Sequence, residues 1–298
     1  KYLKNSKKKK MLYFHNDPLS MTGSKKVDDR IFLLNHIDKI LFNSKWSQSR
    51  FFIDLENKEL LKYKTAVCYQ STSSTKINFK KKEKIISFVG KLNTAKGYDL
   101  FGKSVLKILN EFPDWKAKVI GDELREKIHF KHKRLSISGY TKHEKVLNML
   151  KKVSISVVCS RWDEPFGRTS LEAASRGCAV IISNKGGLPE TTSNSIILKN
   201  LNVNEIYKEI KKLITNPNLL KKIQKNNLNT FLFDHKFIAN LVDNQRKDLF
   251  LFNNLFIKRD KLLKIMHITN LNERFNGRLH YNTGRRLNNG FIRNNHNV

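Results

Sequence analysis

The sequence predicts an α/β protein built around a doubly wound parallel sheet, and two observations lead to that fold class. From residue 85 onward, short apolar runs alternate with segments of helical periodicity, the pattern of parallel strands connected by helices. The segment 154–183 shows the repeating unit: a strand-like run, a Pro-Phe-Gly turn, a helix start and a second strand-like run. The predicted strands cover 85–90, 117–121, 135–139, 154–159, 178–183 and 195–198.

Shorter elements precede this alternation. Residues 11–15 form an apolar run that predicts a buried strand, and residues 28–36 carry the spacing of a helix. The segment 39–46 predicts a strand followed by the start of a helix, with Ser44 or Ser47 as the N-cap. A second, smaller unit is therefore expected before the main sheet.

The composition fits a globular chain without a membrane-spanning segment. Of 298 residues, 39% are hydrophobic, and no apolar run approaches the roughly 20 residues that a spanning helix needs. The first residues lack the pattern of a signal peptide. Cys68, Cys159 and Cys178 show neither metal-ligand nor disulfide spacing, so we interpret them as core residues in a reducing compartment. We expect a cytoplasmic protein.

The net charge of +32, from 58 Lys and Arg against 26 Asp and Glu, raises the question of a nucleic-acid partner. The basic residues are spread along the whole chain together with abundant Asn and Ile, instead of forming one patch. No nucleic-acid motif and no stripe of aromatic residues accompanies them. We expect no nucleic-acid partner, and peripheral contact with anionic lipids at the inner face of a membrane stays open.

Two carboxylates mark a candidate site. Glu164 lies in the loop after a strand, and Glu172 lies about a turn and a half inside the following helix. Open α/β sheets bind ligands at such a junction, and the N–H groups at the start of the helix attract anions. Glu172 can then reach a neutral hydroxylated group such as a ribose, while Glu164 faces what lies beyond the anion. A nucleotide diphosphate that carries a sugar meets all three requirements.

The segment from Arg161 to Gly177 resembles the Glu-x7-Glu signature of retaining glycosyltransferases with the GT-B fold, especially family 4. Residues 85–97 resemble that family's strand followed by Gly-Arg-Leu and Lys-Gly, and residues 184–190 resemble its Gly-Gly-(Leu/Ile)-Pro-Glu loop. The resemblance covers roughly residues 11–250. It implies a GT-B fold with a complete C-terminal Rossmann-like domain, which is the doubly wound sheet, and an incomplete N-terminal Rossmann-like domain.

The resemblance also implies site residues. Lys91 and Lys96 match the Arg and Lys that grip the donor diphosphate, although Lys91 lacks the bidentate fork of arginine. Glu164 matches the carboxylate beside the donor sugar and is assigned as catalytic together with His15, which matches the histidine near the junction of sugar and acceptor. A purely structural role for His15 stays open. The predicted donor-binding residues are Gly90, Lys91, Lys96, Phe166, Gly167, Glu172, Gly186 and Gly187.

The same comparison suggests how the chain is divided. Residues 1–79 would hold the second half of the N-terminal domain and a polar, Lys-rich linker, followed by the nucleotide-sugar-binding domain in 80–235. Residues 236–258 would form the C-terminal helix that returns to the N-terminal domain. Residues 259–298 resemble the truncated start of a second GT-B N-terminal domain. A window from tandem modules and a fragmentary gene product are both open explanations, and a circular permutation is less favoured.

We therefore expect a retaining hexosyltransferase that moves a sugar from a nucleotide diphosphate donor to a hydroxyl of a glycan or a lipid-linked acceptor, as in cell-envelope polysaccharide synthesis. No Asp-x-Asp sequence occurs, so neither a metal nor another cofactor is expected. One alternative is a catalytically incomplete fragment that binds the nucleotide sugar without turnover. Another is a basic protein that binds nucleic acid or an anionic membrane. Related GT-B epimerases and phosphorylases are disfavoured by the Glu-x7-Glu context.

Overall fold

The computed structural model describes residues 8–56, 62–251 and 290–292, which include two parallel sheets. The smaller sheet has the order β1–β2–β3, and its core contains Phe14, Phe42 and Phe51, whose ring centroids lie 5.2 to 5.5 Å apart. A helix, α1, connects β1 to β2, and a second, α2, follows β2. The bounds are β1 (Met11–Phe14), α1 (Val27–His36), β2 (Lys39–Phe42), α2 (Lys45–Phe51) and β3 (Thr65–Val67).

The larger sheet has six strands, named β4 to β9 along the chain: β4 (Glu83–Val89), β5 (Lys116–Ile120), β6 (Leu135–Ser138), β7 (Val153–Val158), β8 (Ala179–Ser183) and β9 (Ile196–Leu198). All neighbouring pairs are parallel, in the order β6–β5–β4–β7–β8–β9. The chain thus moves outward from β4 to β6 and then outward in the opposite direction from β7 to β9. The carboxyl ends of β4 and β7 lie side by side at this reversal, which is the place where such sheets bind ligands.

Helices cover both faces of this sheet, and their bounds are α3 (Tyr98–Glu111), α4 (His143–Leu150), α5 (Arg168–Ala174), α6 (Val203–Thr215), α7 (Pro217–Asn229) and α8 (His235–Leu251). On one face, Phe101 of α3 and Ile206 of α6 pack against Ile155 of β7. On the other face, Leu150 of α4 and Ala173 of α5 join a second core cluster. Strands buried on both faces need continuous apolar runs, which explains why their sequences are so rich in Ile and Val.

The structure confirms the predicted fold class. Each of the six predicted strands of the larger sheet agrees with the observed strand within two residues at both ends. Ser44 is the N-cap of α2, and its hydroxyl accepts a hydrogen bond from the Ser47 N–H at 2.9 Å. Strand β3 was not predicted, because it is only three residues long and is defined by its pairing with β2.

The polar, Lys-rich segment predicted as a linker before residue 80 is hydrogen-bonded to the part of the chain that contains the larger sheet. The Thr72 N–H donates to the carbonyl of Phe233 at 3.0 Å. The buried guanidinium of Arg176 donates to the backbone carbonyl and to the hydroxyl of Ser73. Phe79 packs closely over Gly177, where an added Cβ would lie 3.1 Å from the phenyl ring. The segment therefore follows a fixed path between the two sheets.

The predicted C-terminal elements are described in part. The return helix expected in residues 236–258 corresponds to α8, which the structure describes as far as Leu251. Apart from residues 290–292, the second module expected in residues 259–298 lies outside the described residues, and the predicted domain boundaries stay predictions. Among the helices that are described, none is both long enough and apolar enough to cross a membrane.

A partly buried lysine joins three elements of the larger unit. The ammonium of Lys82, directly before β4, donates to the carbonyls of Leu150 at 3.2 Å, Val153 at 2.6 Å and Arg176 at 2.8 Å. These carbonyls belong to the end of α4, the start of β7 and the turn after α5. Burial lowers the pKa of Lys82, and the neighbouring Cys178 thiol partly opposes that shift. The three carbonyls would lack this donor without the lysine.

Replacing Lys82→Met should therefore lower the free energy of unfolding by about 2–4 kcal/mol, because three inward-facing carbonyls lose a charged donor. Urea denaturation followed by circular dichroism at pH 7 measures the change. Lys84→Met is the matched control, since Lys84 lies two residues further along, in β4, and forms an exposed ion pair with Asp114. The control should unfold close to the wild type, and equal losses in the two variants would contradict the role of Lys82.

Candidate functional site

A cavity of about 60 Å³ lies at the reversal of the larger sheet, between the ends of β4 and β7 and the start of α5. Four predicted site residues line it: Gly90, Lys96, Glu164 and Gly167. Three further polar residues that were not predicted also line it: Ser160, Arg168 and Thr169. A larger, open depression of about 720 Å³ lies between α3 and α6, away from the strand ends. The small cavity is the candidate site because it lies where the topology directs ligands and where the predicted residues meet.

The loop that follows β4 is held by side chains of the next strand–loop unit. The N–H of Lys96 donates to Oδ1 of Asn93 at 2.9 Å, and Nδ2 of Asn93 donates to Glu123 at 2.8 Å. The Thr94 N–H donates to Glu126 at 2.8 Å. A hydrogen bond from Arg125 is the main reason why the pKa of Glu123 falls to about 2, so this carboxylate is ionised and accepts only. These contacts fix the backbone that carries Lys96.

Close packing on the other side of this loop explains the glycine after Lys96. Gly97 has φ +73°, and an added Cβ would lie 2.0 Å from the backbone oxygen of Cys159. The carbonyl of Ala95 accepts from the N–H of Arg161 at 2.9 Å. The Arg161 guanidinium forms a bidentate pair with Asp99 at 2.6 and 2.7 Å. The Lys96 loop and the Glu164 loop are therefore joined to each other.

Lys96 and Glu164 form an ion pair inside the candidate site. The side chain of Lys96 is 32% exposed and that of Glu164 is 14% exposed, so the pair is partly shielded from solvent. The predicted diphosphate-binding cation and the predicted sugar-side carboxylate therefore contact each other when no ligand separates them. Lys91 is exposed and is not among the residues that line the cavity.

The Gly-Gly loop supports Glu164 from behind. The Gly187 N–H donates to the Glu164 carbonyl at 2.7 Å, and a Cβ at Gly186, with φ +58°, would lie 2.1 Å from the same oxygen. A Cβ at Gly187 would lie 2.6 Å from the Pro165 carbonyl oxygen and 2.9 Å from Cβ of Ser44. Gly186 and Gly187 thus pack against the backbone of the Glu164 loop and not into the cavity.

Two hydroxyls from the smaller sheet bind the next carbonyl of the same loop. The Ser44 hydroxyl donates to the Pro165 oxygen at 2.5 Å, and the Ser47 hydroxyl approaches it at 3.2 Å. Asn43, at the end of β2, accepts from the Ser47 hydroxyl at 2.8 Å and donates to the His15 carbonyl at 2.9 Å. The end of β1, where His15 lies, is therefore connected to the Glu164 loop through buried polar groups.

Glu190, which the sequence analysis did not assign to the site, connects the same two parts of the chain. Its carboxylate accepts from the N–H of Lys45 at 2.7 Å and from the N–H of Trp46 at 2.9 Å, at the start of α2. Tyr69 also hydrogen-bonds to Glu190. Burial, followed by the charge and the hydrogen bond of Glu190, raises the pKa of Tyr69 to about 12. The carboxylate acts as a helix cap supplied from a distant segment.

Phe166 contributes its side chain to packing. It is 1% exposed, and its ring lies 5.5 Å from that of Tyr69 and 6.0 Å from that of Phe233. Its ring is therefore enclosed by aromatic neighbours and does not line the cavity. Gly167 follows with φ +110°, and an added Cβ would lie 2.5 Å from the Leu188 side chain. This glycine lets α5 begin directly at the cavity.

Glu172 lies on α5 and is 6% exposed. Its Oε1 atom accepts from Nη2 of Arg168 at 2.8 Å and contacts Nε2 of His143 at 2.8 Å. Burial pushes the pKa of Glu172 upward, but the His143 hydrogen bond and the charge of Arg168 outweigh it, so the net pKa lies below its usual range. The carboxylate is ionised at neutral pH and needs hydrogen-bond donors.

Eight of the ten predicted site residues therefore form one cluster in two layers, whereas Lys91 and His15 do not line the cavity. The cavity holds Gly90, Lys96, Glu164 and Gly167, while Glu172, Phe166 and the Gly-Gly pair support it from behind. Sequence reasoning missed Arg168 and His143, although both lie next to elements that it had identified. Within the described residues, no three His, Cys, Asp or Glu side chains gather as a metal ion would require.

Sequence comparisons relate this chain to known glycosyl transferases. A family model described as Glycosyl transferases group 1 matches residues 69–230. Putative glycosyltransferase YtcC of Bacillus subtilis is 26% identical over 161 residues, 48% of this chain and 40% of that protein. The GPI3 subunit of phosphatidylinositol N-acetylglucosaminyltransferase of Saccharomyces cerevisiae is 30% identical over 132 residues, 42% of this chain and 29% of that protein. The chain thus aligns with less than half of the length of these relatives.

A solved structure shares the fold. The Anabaena protein HepE in complex with UDP-glucose superimposes with a TM-score of 0.66 at 16% identity, over 80% of this chain and 72% of that one. Its likeness supports the GT-B arrangement of the sheets described above. Because the family model matches more than half of its residues, the chain belongs to the group 1 glycosyl transferases.

Proposed function

We propose that this chain is the donor-binding part of a retaining glycosyltransferase. The enzyme would transfer a hexose from a nucleotide diphosphate to a hydroxyl acceptor. The observation that carries the proposal is the cavity at the ends of β4 and β7, which places Lys96 beside Glu164. Glu172 lies behind it on α5, paired with Arg168, which also lines the cavity. This arrangement, a cation beside one carboxylate with a second carboxylate behind them, supports a donor whose diphosphate, sugar and ribose contact Lys96, Glu164 and Glu172 in turn.

The charge of the cavity supports a nucleotide sugar as the donor. A diphosphate carries negative charge that Lys96 and Arg168 can neutralise at the cavity, with Lys91 on the adjacent surface. The solved Anabaena structure holds UDP-glucose, which supports a nucleotide sugar as the donor here. The backbone of Gly90 and Gly167 offers close approach where a side chain would block the phosphates. We propose that the reaction uses neither a metal nor another cofactor, because the sequence has no Asp-x-Asp and positive side chains at the cavity would supply the charge.

The chemistry requires stabilisation of the departing diphosphate. As the bond between the sugar carbon and the diphosphate oxygen breaks, negative charge grows on that oxygen, and fixed cations in a partly shielded site stabilise it. The acceptor hydroxyl forms the new bond to the same carbon, and its proton passes to the departing diphosphate oxygen, which carries the new negative charge. We assign Glu164 to the sugar and His15 to the junction with the acceptor, because buried hydrogen bonds connect the end of β1 to the Glu164 loop.

The proposal also covers the class of acceptor and the cellular location of the protein. We propose a glycan or lipid-linked acceptor, as in cell-envelope polysaccharide synthesis, and a cytoplasmic protein that contacts the inner face of a membrane peripherally. The net charge of +32 supports attraction to anionic lipids, and the yeast relative is named for a phosphatidylinositol acceptor. The predicted division into an acceptor-side unit in 1–79 and a donor-side unit in 80–235 is part of the same proposal.

The two carboxylates should separate binding from transfer. Glu172→Ala should weaken nucleoside diphosphate binding by about 1–3 kcal/mol, because the ribose hydroxyls lose a charged acceptor. Glu164→Ala should spare that affinity and slow the release of nucleoside diphosphate from the nucleotide sugar. Calorimetry with UDP, GDP and ADP measures the first effect, and a product-release assay with the corresponding UDP-, GDP- and ADP-sugars measures the second.

Glu144→Ala is the control for these variants, since Glu144 is exposed on α4. It should match the wild type in both assays. Reversed effects, with Glu164→Ala losing nucleotide affinity and Glu172→Ala losing only transfer, would show that the two roles are assigned the wrong way round. Absence of binding to all three nucleotides would contradict the donor site itself.

Salt should distinguish this donor site from general attraction to polyanions. Binding of a nucleoside diphosphate by two or three cations should weaken only modestly between 50 and 200 mM KCl, whereas nucleic-acid binding through many phosphate contacts falls by roughly 10³ or more. Titrations of the best nucleotide and of a mixed-sequence DNA duplex across this range test the difference. Duplex binding that stays tight at 200 mM KCl would favour a nucleic-acid-binding protein.

A further inference from the structure

The carboxylate of Glu172 is held by two donors that approach the same oxygen. Nε2 of His143 and Nη2 of Arg168 each lie 2.8 Å from Oε1. Arg168 precedes Glu172 by one helical turn, whereas His143 is the first residue of a different helix, α4. Across residues 8–56 and 62–251, no hydrogen bond to Oε2 is formed. One oxygen of the carboxylate is therefore engaged twice, and the other is left for a further donor.

The direction of the His143 hydrogen bond follows from the state of its partner. The pKa of Glu172 lies below its usual range, so at neutral pH the carboxylate carries no proton and can only accept. Nε2 of His143 must therefore carry the hydrogen in either the neutral or the charged form of the ring. An imidazole N–H at this position holds Oε1 in place without depending on the protonation of the ring.

The two donors have different surroundings. Arg168 also lines the cavity, so its guanidinium is exposed to whatever binds there. His143 is not among the lining residues, and its contact with Glu172 comes from the side of α4. If a bound diphosphate draws Arg168 toward its phosphates, His143 still holds Oε1. The histidine is therefore the contact that can keep the carboxylate oriented while the cavity is filled.

We propose that His143 is a positioning residue for nucleotide recognition: it fixes Oε1 of Glu172 so that Oε2 accepts hydrogen bonds from the ribose hydroxyls of the donor. This inference rests on the proposed function, which assigns the ribose to Glu172. It adds a residue from outside the Glu-x7-Glu segment and gives the reason why Glu172 is paired on one oxygen only. A ribose diol suits Oε2 because its two O–H groups are neutral donors.

The test compares two amides of different reach at position 143. In His143→Gln, the side-chain NH₂ can occupy the place of Nε2, whereas in His143→Asn it reaches only as far as Nδ1 did. Each chain is titrated with a nucleoside diphosphate and with its 2′,3′-dideoxy counterpart, using whichever of UDP, GDP and ADP the wild type binds most tightly. The measured quantity is the ratio of the two dissociation constants, which isolates the contribution of the ribose hydroxyls.

The wild type should prefer the ribonucleotide by about tenfold or more, as expected for hydrogen bonds to a charged acceptor. His143→Gln should keep that preference, and His143→Asn should reduce it by at least about fivefold while binding the dideoxy ligand like the wild type. His129→Gln, at an exposed histidine, is the control and should change nothing. Thermal melting of each variant confirms that the folded chain is being titrated.

A structural ion pair alone would give a different result. If His143 only stabilises the contact between α4 and α5, His143→Asn should lower the melting temperature and leave the preference for ribose hydroxyls unchanged, which overturns the inference. Equal weakening of both ligands also overturns it. A wild type that binds no nucleoside diphosphate refutes the proposed function and the inference together, whereas a wild type that binds both ligands equally refutes only the assignment of ribose to Glu172 and the inference that rests on it.

Discussion

The candidate site depends on one backbone oxygen, the carbonyl of Pro165. It lies directly after Glu164, and it receives the hydroxyls of Ser44 and Ser47 from the smaller sheet. This carbonyl is partly buried and needs a donor, and here the hydroxyls come from more than a hundred residues earlier in the chain. The position of the Glu164 loop is therefore set jointly by both sheets. The loop that carries Glu164 therefore depends in part on a contact that the larger sheet cannot make by itself.

The balance of charge in the site contrasts with that of the whole chain. The protein carries 58 basic and only 26 acidic residues, yet acidic side chains determine the local structure around the cavity. Glu164 neutralises Lys96, Glu172 restrains Arg168, and Glu190 caps α2. A basic chain has many surface cations that water screens, whereas each of these carboxylates has a defined partner, and Glu164 and Glu172 are also shielded from solvent. The acidic residues are thus more informative about function than the excess of lysine.

The strands of the larger sheet and the principal site loops could be predicted from the sequence, because both depend on neighbouring residues. Continuous Ile and Val runs predict buried strands, and the Gly-Lys and Glu-x7-Glu segments lie where the strands end. The remaining features depend on contacts between residues that lie far apart along the chain. His143 meets Glu172 across 29 positions, Glu190 meets Lys45 across 145, and strand β3 exists through its pairing with β2. No local pattern encodes such contacts, since only the folded topology brings the partners together.

The contact at Gly187 has a consequence for recombination between related enzymes. A Cβ at this position would meet both the Pro165 oxygen and Cβ of Ser44, so three segments that are distant in sequence fit together without spare volume. A chimera that joins this donor-side unit to the acceptor-side unit of another enzyme would need to keep Ser44 and its neighbours from the present chain. Mosaic descendants should therefore inherit these three segments as a set. The geometry restricts where gene fusion can succeed, even though each unit has its own sheet.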